Sequence, residues 1–166
     1  MKLLTATEKR AIARDWKNAL QFYEVPKSMW LVKRNGPILT GVYLARSDGG
    51  TRYSPEFYIH PLWRKFPCVS LDCQKPLMLP NGVRDAFTYL GHQSKFDEII
   101  ERFRHQCPYA FVDQISSTIL EDILNHNIAT SEIWPVESFM DSVLCAVYCN
   151  KLEEVEDRID KCKRVL

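Results

Sequence analysis

The chain has 166 residues, 46% of them hydrophobic, which is enough for a core of its own, so residues 1–166 are expected to form a single globular domain. No run approaches the roughly 18 apolar residues that span a bilayer, and the start, Met1-Lys2-Leu3-Leu4-Thr5-Ala6, leads into charged residues without an apolar signal segment. A cytoplasmic protein with no membrane partner is therefore expected. The near-neutral total of +1 hides a split: residues 1–110 carry 17 Lys or Arg against 10 Asp or Glu, net +7, while residues 111–166 carry 5 against 11, net −6. Such asymmetry bears on which partners a protein attracts and not on its fold.

The first expected helix runs from Thr5 to about Glu24. Thr5 and Glu8 form a capping-box pattern, Ile12, Trp16, Leu20 and Tyr23 recur at helical spacing, and Pro26 prevents continuation. From Met29 to about Gln74 the hydrophobic period falls to two. Turn signals at Asn35-Gly36-Pro37, Ser47-Asp48-Gly49-Gly50 and Pro61 to Pro67 divide this stretch into an antiparallel meander of about four strands. In the third strand Tyr53, Phe57 and Ile59 face the core while Arg52, Glu56, Tyr58 and His60 form a polar face; in the fourth, Val69, Leu71 and Cys73 oppose Cys68, Ser70 and Asp72.

After a Pro-containing connection, Ser94 and Asp97 mark the start of a helix carrying Phe96, Ile99, Ile100 and Phe103 and ending before Pro108. Tyr109 to Val112 is a short strand or buried chain. Ser116 to about Asn125 has Ile119, Leu120, Ile123 and Leu124 at helical spacing, followed by a polar turn through Asn127. Pro135 opens a helix to Cys149 with Val136, Met140, Val143 and Val147 inward, and a last helix from Lys151 to about Arg164 turns Leu152, Val155, Ile159 and Cys162 inward. The class is α+β, an antiparallel meander packed by an N-terminal helix and several C-terminal helices.

Three chemistries can be weighed on this frame. If Cys68 pairs across from His60, then Tyr58 meets Ser70 and Glu56 meets Asp72, and a small enzyme could activate the thiol on that polar face. No oxyanion-stabilising or nucleophile motif accompanies the group, so no catalytic residue is assigned. The spacings Cys68-x4-Cys73, His105-x-Cys107 and Cys145-x3-Cys149 match no zinc site, and neither metal nor cofactor is expected. In a cytosol the six cysteines, Cys162 included, stay reduced; Cys145 and Cys149 share a face with Ser138 and Ser142, a stripe of small side chains that lets helices approach. Lys27, Lys33, Arg34, Arg46, Arg52, Arg64 and Lys65 accompany Trp30, Tyr43, Tyr53 and Trp63, as in an adaptor for nucleic acid. Their cations alternate between strand faces, and a pI near 7.6 falls well short of a dedicated nucleic-acid binder.

The acidic back is the remaining feature. Glu154 with Arg158 and Asp157 with Lys161 are i,i+4 pairs in the stabilising order, whereas Glu137 with Asp141, Glu153 with Asp157, and Glu156 with Asp160 place like charges four apart. A basic partner would relieve that small cost. Glu132, Glu137, Asp141, Glu153, Glu156, Asp157 and Asp160 are accordingly the candidate partner-binding residues.

The blocks Trp30-Leu-Val-Lys-Arg-Asn-Gly-Pro-Ile-Leu-Thr-Gly41, Arg52-Tyr-Ser-Pro-Glu-Phe-Tyr-Ile-His60 and Phe66-Pro-Cys-Val-Ser-Leu71, in a small α+β chain without an enzyme motif, resemble the immunity proteins of bacterial polymorphic-toxin and contact-dependent growth inhibition systems. The resemblance covers about the first half of the chain and transfers no residue role. It implies a non-catalytic protein that binds and neutralises one cognate toxin, often by presenting acidic side chains to a basic toxin surface.

Overall fold

Thr5 begins the first helix as the capping pattern requires: its backbone N–H donates to Glu8 Oε2 at 2.6 Å while its Oγ1 accepts from the Glu8 N–H at 3.2 Å. The computed structural model describes residues 2–63, 72–130 and 135–164, with side chains for all of these except 72–73, 126–130, 135–138 and 162. The chain divides into two compact units, Met1–Asp113 and Gln114–Leu166. That division falls within a few residues of the charge boundary in the sequence.

The first unit begins with α1 (Ala6–Ala19), which buries Ile12, Ala13 and Trp16. A meander follows: β1 (Glu24–Lys27), β2 (Trp30–Asn35), β3 (Ile38–Ser47), β4 (Arg52–Pro61) and β5 (Asp72–Pro76), all antiparallel and in the order β1-β2-β3-β4-β5. The edge strand β1 is an addition to the expected four. Its Glu-Val-Pro-Lys sequence has no alternation to announce it, all four residues are exposed, and an edge position tolerates Pro26. The β3–β4 connection turns through Asp48, Gly49 and Gly50, all with positive φ, as the paired glycines foretell.

Side chains in register share a face. Leu31, Val42 and Phe57 lie in one row of the core face, while Val32, Gly41 and Tyr58 lie in a row of the other. The second face, polar by the alternation, is covered along β4, where every residue from Tyr53 to Pro61 is buried. Gly41 explains part of this, because a Cβ there would stand 2.2 Å from the Tyr58 ring. The phenol therefore lies across β3 and accepts a hydrogen bond from Trp30 Nε1 at 2.6 Å. Glu56 is buried beside Arg84 at 2.5 Å; burial raises its pKa and Arg84 partly counters the rise.

The fourth-strand register also differs. Asp72 pairs with Ile59 and Pro76 with Glu56, with a bulge between, so Glu56 does not face Asp72 as the Cys68–His60 arrangement requires. Cys68, Val69 and Leu71 lie outside the described residues.

Helix α2 (Tyr89–Gln106) starts earlier than Ser94, because Thr88 provides the cap by accepting from the Gly91 N–H at 3.1 Å. Ser94 instead donates back to the Leu90 carbonyl at 3.0 Å, just before a kink at Lys95. Residues Pro108–Phe111 form a 3₁₀ turn and not a strand. Lys33 then caps this unit: its Nζ donates to the Val112 carbonyl at 2.6 Å and to that of Asp113, and lies 5.1 Å from the centre of the Tyr23 ring.

Three elements meet in a polar relay that is buried at Trp16, Tyr53 and His92 and half-exposed at Asp15. Trp16 Nε1 donates to Tyr53 Oη at 3.2 Å, Tyr53 Oη lies 2.7 Å from His92 Nδ1, and His92 Nε2 lies 3.2 Å from Asp15 Oδ2. The indole can only donate, so the phenol donates onward to Nδ1 and His92 carries its proton on Nε2 toward Asp15. Burial lowers the His92 pKa, with Asp15 partly offsetting it, and keeps the ring neutral.

The second unit is helical: α3 (Ser117–Thr130), α4 (Pro135–Tyr148), a 3₁₀ turn at Leu152–Glu154 and α5 (Val155–Lys163). The turn expected through Asn127 is absent, since α3 continues to Thr130. No helix among the described residues is long and apolar enough to cross a membrane.

Candidate partner-binding surface

One arginine ties the helical unit together. Arg158 Nη1 donates to the Ser142 carbonyl and to Ser142 Oγ, each at 2.9 Å, while Nη2 donates to Glu121 Oε1 at 3.0 Å and to the Glu154 carboxylate. Lys151 Nζ donates to Glu121 Oε2 at 2.5 Å. Glu121 is buried, and a buried carboxylate needs partners of this kind. The hydrogen bond to Arg158 lowers the pKa of Glu154, and the one to Glu121 raises that of Lys151. The Glu154–Arg158 and Asp157–Lys161 pairs are formed as the spacing predicts, the latter at 2.6 Å.

This network decides which side of each helix is covered. Among the described side chains of α4 the buried ones are Asp141, Ser142, Cys145 and Ala146, the small and polar side. Met140 and Val147, expected inward, are 46% and 48% exposed. A guanidinium with five donors needs acceptors around it, and Ser142 and Glu121 supply them where an aliphatic stripe cannot. The final helical stretch is displaced in the same sense: Leu152 and Ile159, also expected inward, are 60% and 37% exposed. Val136 and Cys162 lie outside the described side chains.

Glu121, Cys145 and Cys149 bring three potential ligand atoms within 4.8 Å of one another. Both carboxylate oxygens of Glu121 are taken by Arg158 and Lys151, and burial pushes the Cys145 thiol up to about 12. A cation there would displace two positive side chains and a proton, so the donor set is a poor metal site.

The candidate acidic residues separate into three groups. Glu153, Glu156, Asp157 and Asp160 are exposed. Asp141 is only 3% exposed and therefore belongs to the interior, not to a partner surface. Glu132 and the Glu137 side chain lie outside what is described. Within the exposed group Asp157 is neutralised by Lys161, which lowers its pKa, and Asp160 meets Lys163 at 3.1 Å. Glu153 and Glu156 have no ion-pair partner among the described residues. Glu156 precedes Ile159 by three on α5, so the two share a side of that helix, and exposed Leu152 lies in the 3₁₀ turn just before it.

The resulting surface combines exposed aliphatic side chains with carboxylates that nothing within the described residues neutralises. Isolated exposed leucines are ordinary, but exposed apolar side chains gathered beside unpaired charge are what a protein interface presents. The interior residues Glu121, Ser142 and Arg158 were not identified as a group in the sequence; the Glu154–Arg158 spacing was the only visible sign. No family model, curated protein or solved structure matches the chain.

Proposed function

We propose that the protein is a non-catalytic binding module, most specifically an immunity protein that neutralises a cognate bacterial toxin in the cytoplasm. The observation supporting this reading is the end of the helical unit, where exposed Leu152 in the 3₁₀ turn and exposed Ile159 on α5 accompany the Glu156 carboxylate, which has no ion-pair partner among the described residues. Burying that surface would favour an apolar contact, and the unneutralised Glu156 and Glu153 select a partner whose own surface is basic. The resemblance in Trp30–Gly41, Arg52–His60 and Phe66–Leu71 implies a toxin domain as the partner class.

The test is co-expression with a toxin domain encoded beside this chain, reading cell growth, followed by association kinetics with a catalytically dead toxin. Growth rescue is expected, with an association rate that falls several-fold between about 0.01 M and 0.1 M salt as the screening length shortens from roughly 30 to 10 Å. The triple change Glu153→Gln, Glu156→Gln, Asp160→Asn is expected to slow association, and Leu152→Ser to speed dissociation. Binding indifferent to salt and to all four changes would move the interface off this surface; absence of rescue would remove the toxin reading.

A further inference from the structure

The C-terminal end of α4 places two thiols side by side. Cys145 and Cys149 are four apart, hence on one side of the helix, and their Sγ atoms stand 3.9 Å from each other. Cys145 is fully buried and Cys149 half-buried, so the pair is open to solvent at the Cys149 end. The helix end that carries them is closed by paired hydrogen bonds: the Lys151 N–H donates to the Ala146 carbonyl at 2.9 Å and the Asn150 N–H to that of Val147 at 3.1 Å, with Asn150 at φ +56°. Cys149 donates its own N–H to the Cys145 carbonyl at 2.8 Å. The backbone under the two sulfurs is therefore fixed.

That spacing decides what can join the sulfurs. A disulfide needs Cβ atoms about 3.5–4.5 Å apart, whereas positions four apart on a helix hold them about 5–6 Å apart, so a direct bond would unwind the end of α4. A single bridging atom asks for much less. With two bonds of about 2.3 Å, the length of a metal–thiolate bond, meeting at roughly 90–110°, it sets the sulfurs about 3.3–3.8 Å apart, at most about 0.6 Å closer than they stand. The bridge must also bring no net charge into the helical interior. Glu121 beside the pair is already held by Lys151 and Arg158, and burial pushes the Cys145 thiol up to about 12, so a divalent cation that requires free thiolates is disfavoured. Trivalent arsenic meets both conditions, being pyramidal, thiophilic and uncharged once it carries two thiolates and one further substituent.

We propose that Cys145 and Cys149 form a chelating site for a monosubstituted trivalent arsenical. The arsenical arrives as R–As(OH)₂. Its two As–O bonds and the two S–H bonds break, two As–S bonds form, and the thiol protons leave on the hydroxyl groups as two water molecules. Arsenic stays trivalent, so no oxidant or reductant takes part, and the product is neutral. Cys149, open to solvent, makes the first As–S bond and Cys145 closes the ring. Closure is intramolecular, which gives the pair its advantage over any lone thiol. Glu121 keeps both of its cationic partners throughout. The site lies within the helical unit and does not depend on the toxin reading.

Phenylarsine oxide, which hydrates to such a species, tests the proposal on the full reduced chain, read by native mass spectrometry in excess glutathione. The chain is expected to retain one phenylarsenic group against the monothiol and to release it to 1,2-ethanedithiol. Fragment mapping of the native chain, which depends on no variant, is expected to place the group on the segment that carries Cys145 and Cys149. Cys145→Ser and Cys149→Ser, each checked for an unchanged circular dichroism spectrum, are each expected to weaken retention at least about 100-fold, as loss of one arm of a two-armed site does. Retention unchanged in either variant, the group mapping to other cysteines in place of this pair, or its removal by glutathione alone would each overturn the proposal.

Discussion

The two units solve the problem of an interior in opposite ways. Met1–Asp113 buries Trp16, Tyr23, Tyr53, Tyr58, Phe57 and Phe103 almost completely, and Trp16, Tyr53 and His92 are hydrogen-bonded to one another inside that aromatic mass. Among its described side chains Gln114–Leu166 buries few large apolar ones, chiefly Leu120 and Leu124, and centres on Glu121, Ser142 and Arg158 while leaving Met140, Val147, Leu152 and Ile159 exposed. Burial of apolar area is the main favourable term in folding, so among the described residues the aromatic interior of the sheet unit carries the larger share of the stability. The difference teaches that exposure of apolar residues in the second unit follows from its choice of a polar centre.

The largest effect that would test this contrast comes from Trp16→Ala. It removes a fully buried indole and the donor to Tyr53, and should cost about 3–5 kcal/mol in denaturant unfolding of the sheet unit. A loss below 1 kcal/mol would mean the aromatic interior is not where stability resides.

Arg158→Met should follow, at about 2–3 kcal/mol, because Glu121 keeps Lys151 but loses its buried partner. Hydrogen exchange should then show faster exchange at amides in 117–163 with those of β3 and β4 unchanged. Equal acceleration in both would show that the two units do not behave as separate cooperative blocks.

A smaller effect concerns acid. His92 has its pKa lowered in the fold from an ordinary 6.5, so its stabilising contribution is complete above about pH 6.5 and is lost as the pH falls below that toward the depressed folded value. Urea midpoints between about pH 7.5 and pH 5 should fall more steeply for the native chain than for His92→Gln. Parallel slopes would remove His92 as the acid-sensitive group of the sheet unit.

The smallest effect is the sharpest test of the helical unit. Leu152→Ser should change stability by no more than about 0.5 kcal/mol, as for an ordinary surface change. A cost of 2 kcal/mol would restore Leu152 to a core and leave the proposed partner surface without its apolar part.

What was legible in the sequence was local. The Thr5–Glu8 box, the Gly49–Gly50 turn and the alternation through Tyr53, Phe57 and Ile59 each depend on neighbours within a few residues, and each is formed. Periodicity identified the apolar side of α4 and α5, but it cannot say whether an apolar side is the covered one. That was decided by Arg158 reaching Ser142, sixteen residues away, and Glu121, thirty-seven away. The relay of Asp15, Trp16, Tyr53 and His92 was hidden for the same reason, since its members come from three elements. Within the candidate site, exposure of Glu153, Glu156, Asp157 and Asp160 agreed with their spacing, whereas Asp141 had the same spacing and went inside.

The direction of hydrogen bonding through Trp16, Tyr53, His92 and Asp15 bears on uniqueness of the fold more than on its depth. Greasy contacts alone would let α1 and α2 slide over the sheet by a fraction of a turn at little cost, because methyl and ring surfaces are interchangeable. Donors and acceptors are not: each link accepts only the partner that offers the complementary group, and a displaced helix would strand several of them in a dry interior. The relay thus acts as an alignment key, setting two helices and a strand in one relative position while the surrounding aromatic bulk supplies the adhesion.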